Sequence, residues 1–223
     1  MHTPTLDAPP GRPRQRTVAR TAVGLAVCSA LLLALVVVRW RPLMDLDEDI
    51  ATTTHRWAVE EYGPTQVFRV LTDWVWDPWT MRLLCAVVVV WLVWRHSAWR
   101  TGLWLAVTCA LGTAVQQALK AAVDRPRPTW PDPVDSARYA AWPSGHAMTA
   151  TVVLGLLLWL LHHHAPGHPL RRAALAVAVV SVLGVGLTRV WLGVHWTTDV
   201  LGGWLLGALT VALAVLVRGR MRA

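Results

Sequence analysis

Six stretches of this chain are apolar for most of a membrane thickness: Thr21 to Val38, Met81 to Trp94, Thr101 to Leu119, Ala147 to Leu161, Ala173 to Leu187 and Val200 to Val217. A bilayer core about 30 Å thick needs roughly 20 apolar residues of helix. The second and fourth stretches reach that length only if flanking Trp and His sit at the interface and extend them. Six crossings consume most of 223 residues and leave little for a separate soluble domain. With 55% hydrophobic and 15% charged residues, a disordered chain or a soluble coiled coil is excluded. The expected fold is all-α: a polytopic membrane protein with six transmembrane helices in a bundle.

The formal charge of +8 comes from 21 basic and 13 acidic residues, and only one of the basic ones is lysine. They fall mostly between the apolar runs, and no basic run alternates with aromatics as a nucleic-acid groove would. Nucleic acid is therefore not an expected partner. Cys28, Cys85 and Cys109 each lie inside an apolar run without CxxC spacing, which suggests packing rather than a disulfide or zinc framework. The first run is longer than a signal-peptide core and is followed by Arg39-Trp40-Arg41-Pro42 instead of a small-residue cleavage site, so it reads as a retained anchor.

Six crossings place both termini on one side. The arm of residues 1–20, the Arg95 to Arg100 turn, the His162 to Arg172 turn and the tail of residues 218–223 share that side and are rich in arginine. The positive-inside rule assigns it to the cytoplasm. The other side holds Asp45, Asp47, Glu48, Asp49, Glu60 and Glu61, and nearly as many basic residues by raw count. Residues 41–80 on that outer face are too polar to span yet carry Trp57, Phe68, Trp74, Trp76 and Trp79. They are expected to lie along the surface as an interfacial helical segment with turns at Gly63-Pro64 and Asp77-Pro78. Such a segment serves as an aromatic belt or as a lid that gathers lipid.

Three polar clusters break the apolar pattern, all at the outer ends of helices: Lys120 to Pro128, Pro143 to His146, and Thr188 to Asp199. A charge deep in a membrane helix costs a few kcal/mol, so such residues sit near the interface and serve a purpose. Lys120, Arg127 and Arg189 are three cations converging from different helix ends, which suits an oxyanion. Guanidinium groups grip two phosphate oxygens at once and an ammonium acts as a point charge. Ser144, Gly145 and His146 at a helix start add a hydroxyl, a close-approaching N–H and the positive end of a helix dipole. His195 and Asp199 are four apart, so on a helix the carboxylate orients the imidazole and frees its other nitrogen as a nucleophile. His146 is then available as general acid toward the leaving oxygen. Cradle, oriented nucleophile and separate acid form a phosphatase site that requires no metal and no cofactor.

These residues closely resemble the type 2 phosphatidic acid phosphatase superfamily, which includes bacterial membrane lipid phosphatases and the vanadium haloperoxidases. The family pattern of Lys, six residues, Arg-Pro; then Pro-Ser-Gly-His; then Ser-Arg, five residues, His, three residues, Asp is matched by Lys120, Arg127, Pro128, Pro143, Ser144, Gly145, His146, Arg189, His195 and Asp199. The resemblance implies a phosphohistidine on His195, with Asp199 orienting it and His146 protonating the leaving group. It implies that Lys120, Arg127, Ser144, Gly145 and Arg189 hold the phosphoryl oxygens. Its substrates would be phosphatidic acid, phosphatidylglycerol phosphate or a polyprenyl diphosphate such as the undecaprenyl carrier. Thr188 stands where the family has Ser, and its retained hydroxyl is expected to keep a phosphate contact.

The expected domain is residues 21–217, with the catalytic motifs in 120–199. Arg125 and Arg138 read as loop charges or rim contacts, and Asp124 as the partner of a nearby arginine. His162, His163, His164 and His168 point in different directions on a helix and read as a polar helix end rather than a metal site. Gly203 and Gly207 form a small-xxx-small packing pair, and Gln116 and Gln117 read as cross-helix bonds ahead of substrate contacts. Oligomeric state is not legible. Two other classes compete: a lipid or phosphate transporter or scramblase, and a phosphate-binding membrane protein without turnover.

Overall fold

The computed structural model describes residues 12–164 and 167–221. Most of the expected N-terminal arm, the Ala165-Pro166 part of the polar turn and the last two residues of the tail lie outside them. The elements are α1 (Arg12–Val37), α2 (Arg41–Glu60), α3 (Tyr62–Val70), a π-helical turn (Leu71–Val75), α4 (Pro78–His96), α5 (Trp99–Val123), α6 (Gly145–His164), α7 (His168–Trp191) and α8 (Thr197–Arg220). Every regular element among the described residues is helical, and six stretches are long and apolar enough to cross a membrane. The two short apolar runs become helices of 19 and 20 residues, extended by the flanking Pro, Trp and His.

Local chemistry sets the ends. The Asp77 carboxylate accepts a hydrogen bond from the Trp79 backbone N–H at 2.8 Å, and Pro78 follows as a first-turn residue that needs no donor. Ser97 and Asp124 end α4 and α5 in the left-handed conformation at φ 50° and 41°. In the outer segment the break falls at Glu61, and Gly63 and Pro64 lie within the first turn of α3. The expected turn at those two residues is thus displaced upstream, because proline is well tolerated where the helix N–H groups have no intrahelical acceptor.

α6 is the hub of the bundle. Half of its membrane-length window is buried, against 17% to 33% for the other five. It packs on α8 along a seam of small residues. A Cβ added at Gly203 would lie 2.7 Å from the Ser144 carbonyl oxygen, and one at Gly207 2.7 Å from Thr151 Cβ. Met81, Cys85, Leu105, Val153 and Leu156 form the core between α4, α5 and α6. Within it the Cys85 and Cys109 thiols touch at 3.4 Å as free cysteines. α2 lies across the ends of α7 and α8, with Asp47, Ala51, His55 and Ala58 on its buried face. Trp76 fits against Gly184 on α7, and Phe68 meets Trp191 edge-on at 5.4 Å. The outer segment is therefore part of the packed structure at this end, beyond the role of an aromatic belt.

At the opposite end Arg218 is buried beside Trp104 and Trp159, 5.0 Å and 5.6 Å from their ring centroids, and donates to Thr101 Oγ1 at 2.5 Å. His163 bonds the Trp159 carbonyl through Nδ1 at 2.8 Å and packs on that ring at 4.2 Å.

Candidate active site

Among the described residues, cavities open at both ends of the bundle. The larger, about 560 Å³, is lined almost wholly by apolar side chains of α4, α6 and α7 at the end that carries Arg218. The other, about 470 Å³, lies at the opposite end, where α4, α6 and the turn before α8 begin and α5 and α7 finish. Lys120, Arg127, Gly145, His146, Arg189 and His195 all line it. Three helix ends and two connecting loops thus bring together residues spread over 76 positions of sequence.

Each cation is fixed by oxygen acceptors. Lys120 Nζ donates to the Ala140 carbonyl at 2.5 Å. Arg127 donates through Nε to Tyr139 O at 2.9 Å, through Nη2 to Arg138 O at 3.1 Å and through Nη1 to Val194 O at 2.5 Å. Burial, and after it the neighbouring Arg189 charge, lower the Arg127 pKa to about 10, so it remains charged at neutral pH. Arg189 is 3% exposed and sits 3.4 Å from Asp135 and 3.9 Å from Asp73. The loop between α5 and α6 therefore folds over the cavity by offering carbonyls to two cations and a carboxylate to the third.

His195 is 1% exposed and touches Asp199 through Nδ1 at 3.2 Å. Its Nε2 lies 3.1 Å from Arg127 Nη1. A guanidinium has donors only, so Nε2 accepts and carries the lone pair, and Nδ1 carries the hydrogen that goes to Asp199. Burial, then the charges of Arg127, Arg189, Lys120 and Arg125, hold the His195 pKa well below the usual imidazole value. The imidazole is neutral at pH 7, with its lone pair on the cavity side. His146 projects from the first turn of α6 with Nε2 3.9 Å from Asp77.

Behind this pair lies a network that the spacing did not reveal. Arg125 is bound to Asp199 at 2.7 Å, to Asp47 at 2.8 Å and to Thr198 Oγ1 at 2.6 Å. Asp47, 1% exposed, also accepts from the Thr198 backbone N–H at 3.0 Å and from the Thr198 hydroxyl. Arg125 is thus a buried bridge between two carboxylates, not a loop charge or a rim contact. Arg138 does stand exposed on the rim. Asp124 has no ion-pair partner among the described residues and ends α5 instead, with its N–H on Lys120 O at 3.0 Å. A helical stripe offered a signal for Asp47: it lies four, eight and eleven residues before Ala51, His55 and Ala58, the other buried positions of α2.

A family model for the PAP2 superfamily matches residues 101–222, more than half of the chain. The chain belongs to the PAP2 superfamily. Phosphatidylglycerophosphatase B of Bacillus subtilis (strain 168) is 35% identical over 120 residues, which cover 53% of this chain and 57% of that relative. The crystal structure of the first transmembrane PAP2 type phosphatidylglycerolphosphate phosphatase from Bacillus subtilis aligns with a TM-score of 0.79 at 25% identity, over 87% of this chain and 94% of that one. The six-helix layout and this neighbour mark the chain as a multi-pass membrane protein.

Of the residues expected from the PAP2 pattern, two stand behind the cavity wall. Asp199 is fully buried beneath His195, and its carboxylate also accepts from the Trp196 backbone N–H at 2.9 Å, capping α8. Ser144 is fully buried at the foot of α6, with no bond to its hydroxyl among the described residues and its N–H on Asp199 O at 2.9 Å. Thr188 turns its hydroxyl back onto Val185 O at 2.9 Å and does not line the cavity. A helical threonine commonly satisfies its hydroxyl on its own preceding turn, so the hydroxyl from which a phosphate contact is expected is engaged by Val185 in this structure. Gln116 does serve across helices. It accepts from Thr149 Oγ1 at 3.5 Å, and its amide nitrogen lies 2.8 Å from where a Gly145 Cβ would sit, so a side chain at that position would have to displace the Gln116 amide.

Proposed function

We propose that this PAP2 protein is a lipid phosphatase that removes a terminal phosphate from a membrane lipid, with phosphatidylglycerol phosphate as the first substrate to test. The substrate is taken from the relatives, whose names describe that activity. The observation that carries the reaction is the His195 side chain: Nδ1 is engaged by Asp199, and Nε2 faces a cavity ringed by Lys120, Arg127 and Arg189.

In this reading the three cations and the Gly145 N–H hold the phosphoryl oxygens, while Ser144 and the α6 dipole act from beneath. His195 Nε2 attacks phosphorus, an N–P bond forms, and the P–O bond to the lipid breaks with its electron pair on the lipid oxygen. His146 protonates that oxygen. Water, deprotonated by the same imidazole, then attacks the phosphohistidine; the N–P bond breaks and inorganic phosphate leaves. Charge neutralisation that a metal often supplies comes here from two guanidinium groups and an ammonium. The site opens on the outer face, with both termini in the cytoplasm.

Purified protein should release phosphate from phosphatidylglycerol phosphate in the presence of a chelator, and His195→Ala should reduce the rate by at least about 10³-fold. Acid-quenched turnover should show acid-labile phosphate on the wild-type protein only. A transporter, a scramblase or a simple phosphate binder would release none, and that outcome would overturn the proposal.

A further inference from the structure

A further cation lines the cavity that the reaction above does not use. Arg82 sits on α4 four residues beyond Pro78, so its backbone is about 6 Å deeper in the bundle than the helix start. It borders the catalytic cavity and also a small space beneath it, shared with Cys109, Gly112, Gln116 and Met148. Its partners differ from those of the other cations. Lys120, Arg125, Arg127 and Arg189 are bound to carbonyls or carboxylates. Arg138 is exposed at the rim, where water covers its charge. Arg82 is partly buried with its Nε sealed from solvent, and among the described residues it has neither a hydrogen bond nor a carboxylate partner. Its one specific contact is the Trp79 ring, 5.5 Å from the guanidinium carbon. That contact positions the group without consuming its N–H donors.

A charged guanidinium on a membrane helix without a counter-ion is costly, and the cost is offset when an anion binds. The cavity has room for one. Its 470 Å³ equals about fifteen waters at liquid density, well beyond a single phosphoryl group. Gln116 lies one helical turn below Lys120, so Arg82 beside it stands on the bilayer side of the cradle. The part of a substrate that joins the scissile phosphate to the lipid tail has to pass on that side.

We propose that Arg82 recognises a second phosphate of the substrate, next to the one transferred, and that it sets a preference for lipids carrying two phosphates over lipid monophosphates. The proposal rests on the phosphatase reading and deepens it. Two sources share this chemistry: the phosphodiester of phosphatidylglycerol phosphate and the lipid-proximal phosphate of a polyprenyl diphosphate. Phosphatidic acid has no anion at that position.

The test compares kcat/KM of the wild type, Arg82→Gln and Arg82→Lys on phosphatidylglycerol phosphate, a polyprenyl diphosphate and phosphatidic acid in identical mixed micelles. For at least one two-phosphate lipid, the ratio of its kcat/KM to that of phosphatidic acid should fall about tenfold or more in Arg82→Gln and be partly restored in Arg82→Lys. The lipid whose ratio falls identifies the source. Vanadate, which fills the cradle alone, should inhibit wild type and variant within about threefold of each other, showing that the site is intact. An unchanged ratio, or an equal loss on all three lipids, would overturn the assignment. If the wild type hydrolyses none of the three, the phosphatase reading itself fails.

Discussion

At the level of single residues, the site depends on one charge held in place by another. Arg125 joins Asp47 to Asp199, and Asp199 joins His195. Removing one partner of a buried ion pair costs about 3 to 5 kcal/mol, because the other is left uncompensated. Arg125→Met should therefore lower the melting temperature in detergent and reduce kcat by one to two orders of magnitude. Arg125→Lys should recover part of both. A pH profile separates positioning from mere stability. The His195 pKa lies well below 6.5 through burial first and then through nearby cations, Arg125 among them. The proposed nucleophile is thus already neutral at pH 6.5, and the limb of kcat/KM that reports it should lie below that pH. In Arg125→Met that limb should move to higher pH; a loss of activity with the limb unmoved would leave Arg125 a purely structural role. Linkage gives the matching sign for stability. Below pH 6.5 the unfolded chain takes up the imidazole proton before the native one does, so this contribution is complete above 6.5 and is lost as pH falls toward the native pKa. The residues proposed for catalysis could be picked out because they fall in three clusters with short internal spacings, whereas Asp47 and Arg125 are 78 positions apart and only the folded bundle joins them. Arg82 was hidden for another reason: one arginine at the start of an apolar run reads as an interfacial anchor.

At the level of elements, α6 and α8 carry the two halves of the site. Ser144 and His146 belong to the start of α6, and Asp199 to the first turn of α8. Their separation is set by the glycine seam one turn further in. A methyl at Gly203 would meet Ser144 O at 2.7 Å, Ala147 Cβ at 3.0 Å and the Met148 nitrogen at 3.1 Å, two of which are backbone atoms that cannot rotate away. Gly203→Ala should thus push the helices apart at the catalytic end. It is expected to cost about 1 to 3 kcal/mol of stability and to lower kcat along with it. Gly24→Ala on α1, where nothing lies within 4 Å, is the control and should change neither. Equal behaviour of the two variants, measured by thermal unfolding and phosphate release, would show that the seam does not set the site. Four of the six spanning helices were readable from apolar length alone, whereas the second and fourth needed flanking Trp and His to reach a membrane thickness. The outer segment was only half readable, because helix, turn and packing against α7 there depend on partners such as Gly184 and Trp191 that lie more than a hundred positions away.

At the level of the whole molecule, the charge distribution gives the bundle a direction. Arg16, Arg20, Arg95, Arg100, Arg171, Arg172, Arg218 and Arg220 all lie at the end away from the catalytic cavity. The cavity end has a comparable number of cations, but several of them are built into the cavity wall or its ion pairs. Lys120, Arg127 and Arg189 line the cavity, and Arg125 is spent on two carboxylates. Acidic residues are concentrated there too, and α2 alone carries Asp45, Asp47, Glu48, Asp49 and Glu60. Charges bound into the folded site are a poor guide to orientation, and the arginines in short turns near helix ends are the ones that set it. We therefore propose that the Arg-rich end faces the cytoplasm. A reporter that is active only in the cytoplasm, fused after Ala223, should be active. A second fusion in the loop at Ser136, which borders the cavity, should be silent while its exported-type counterpart is active. The opposite pattern at both positions would place catalysis on the inner face, and the substrate would then be drawn from the cytoplasmic leaflet.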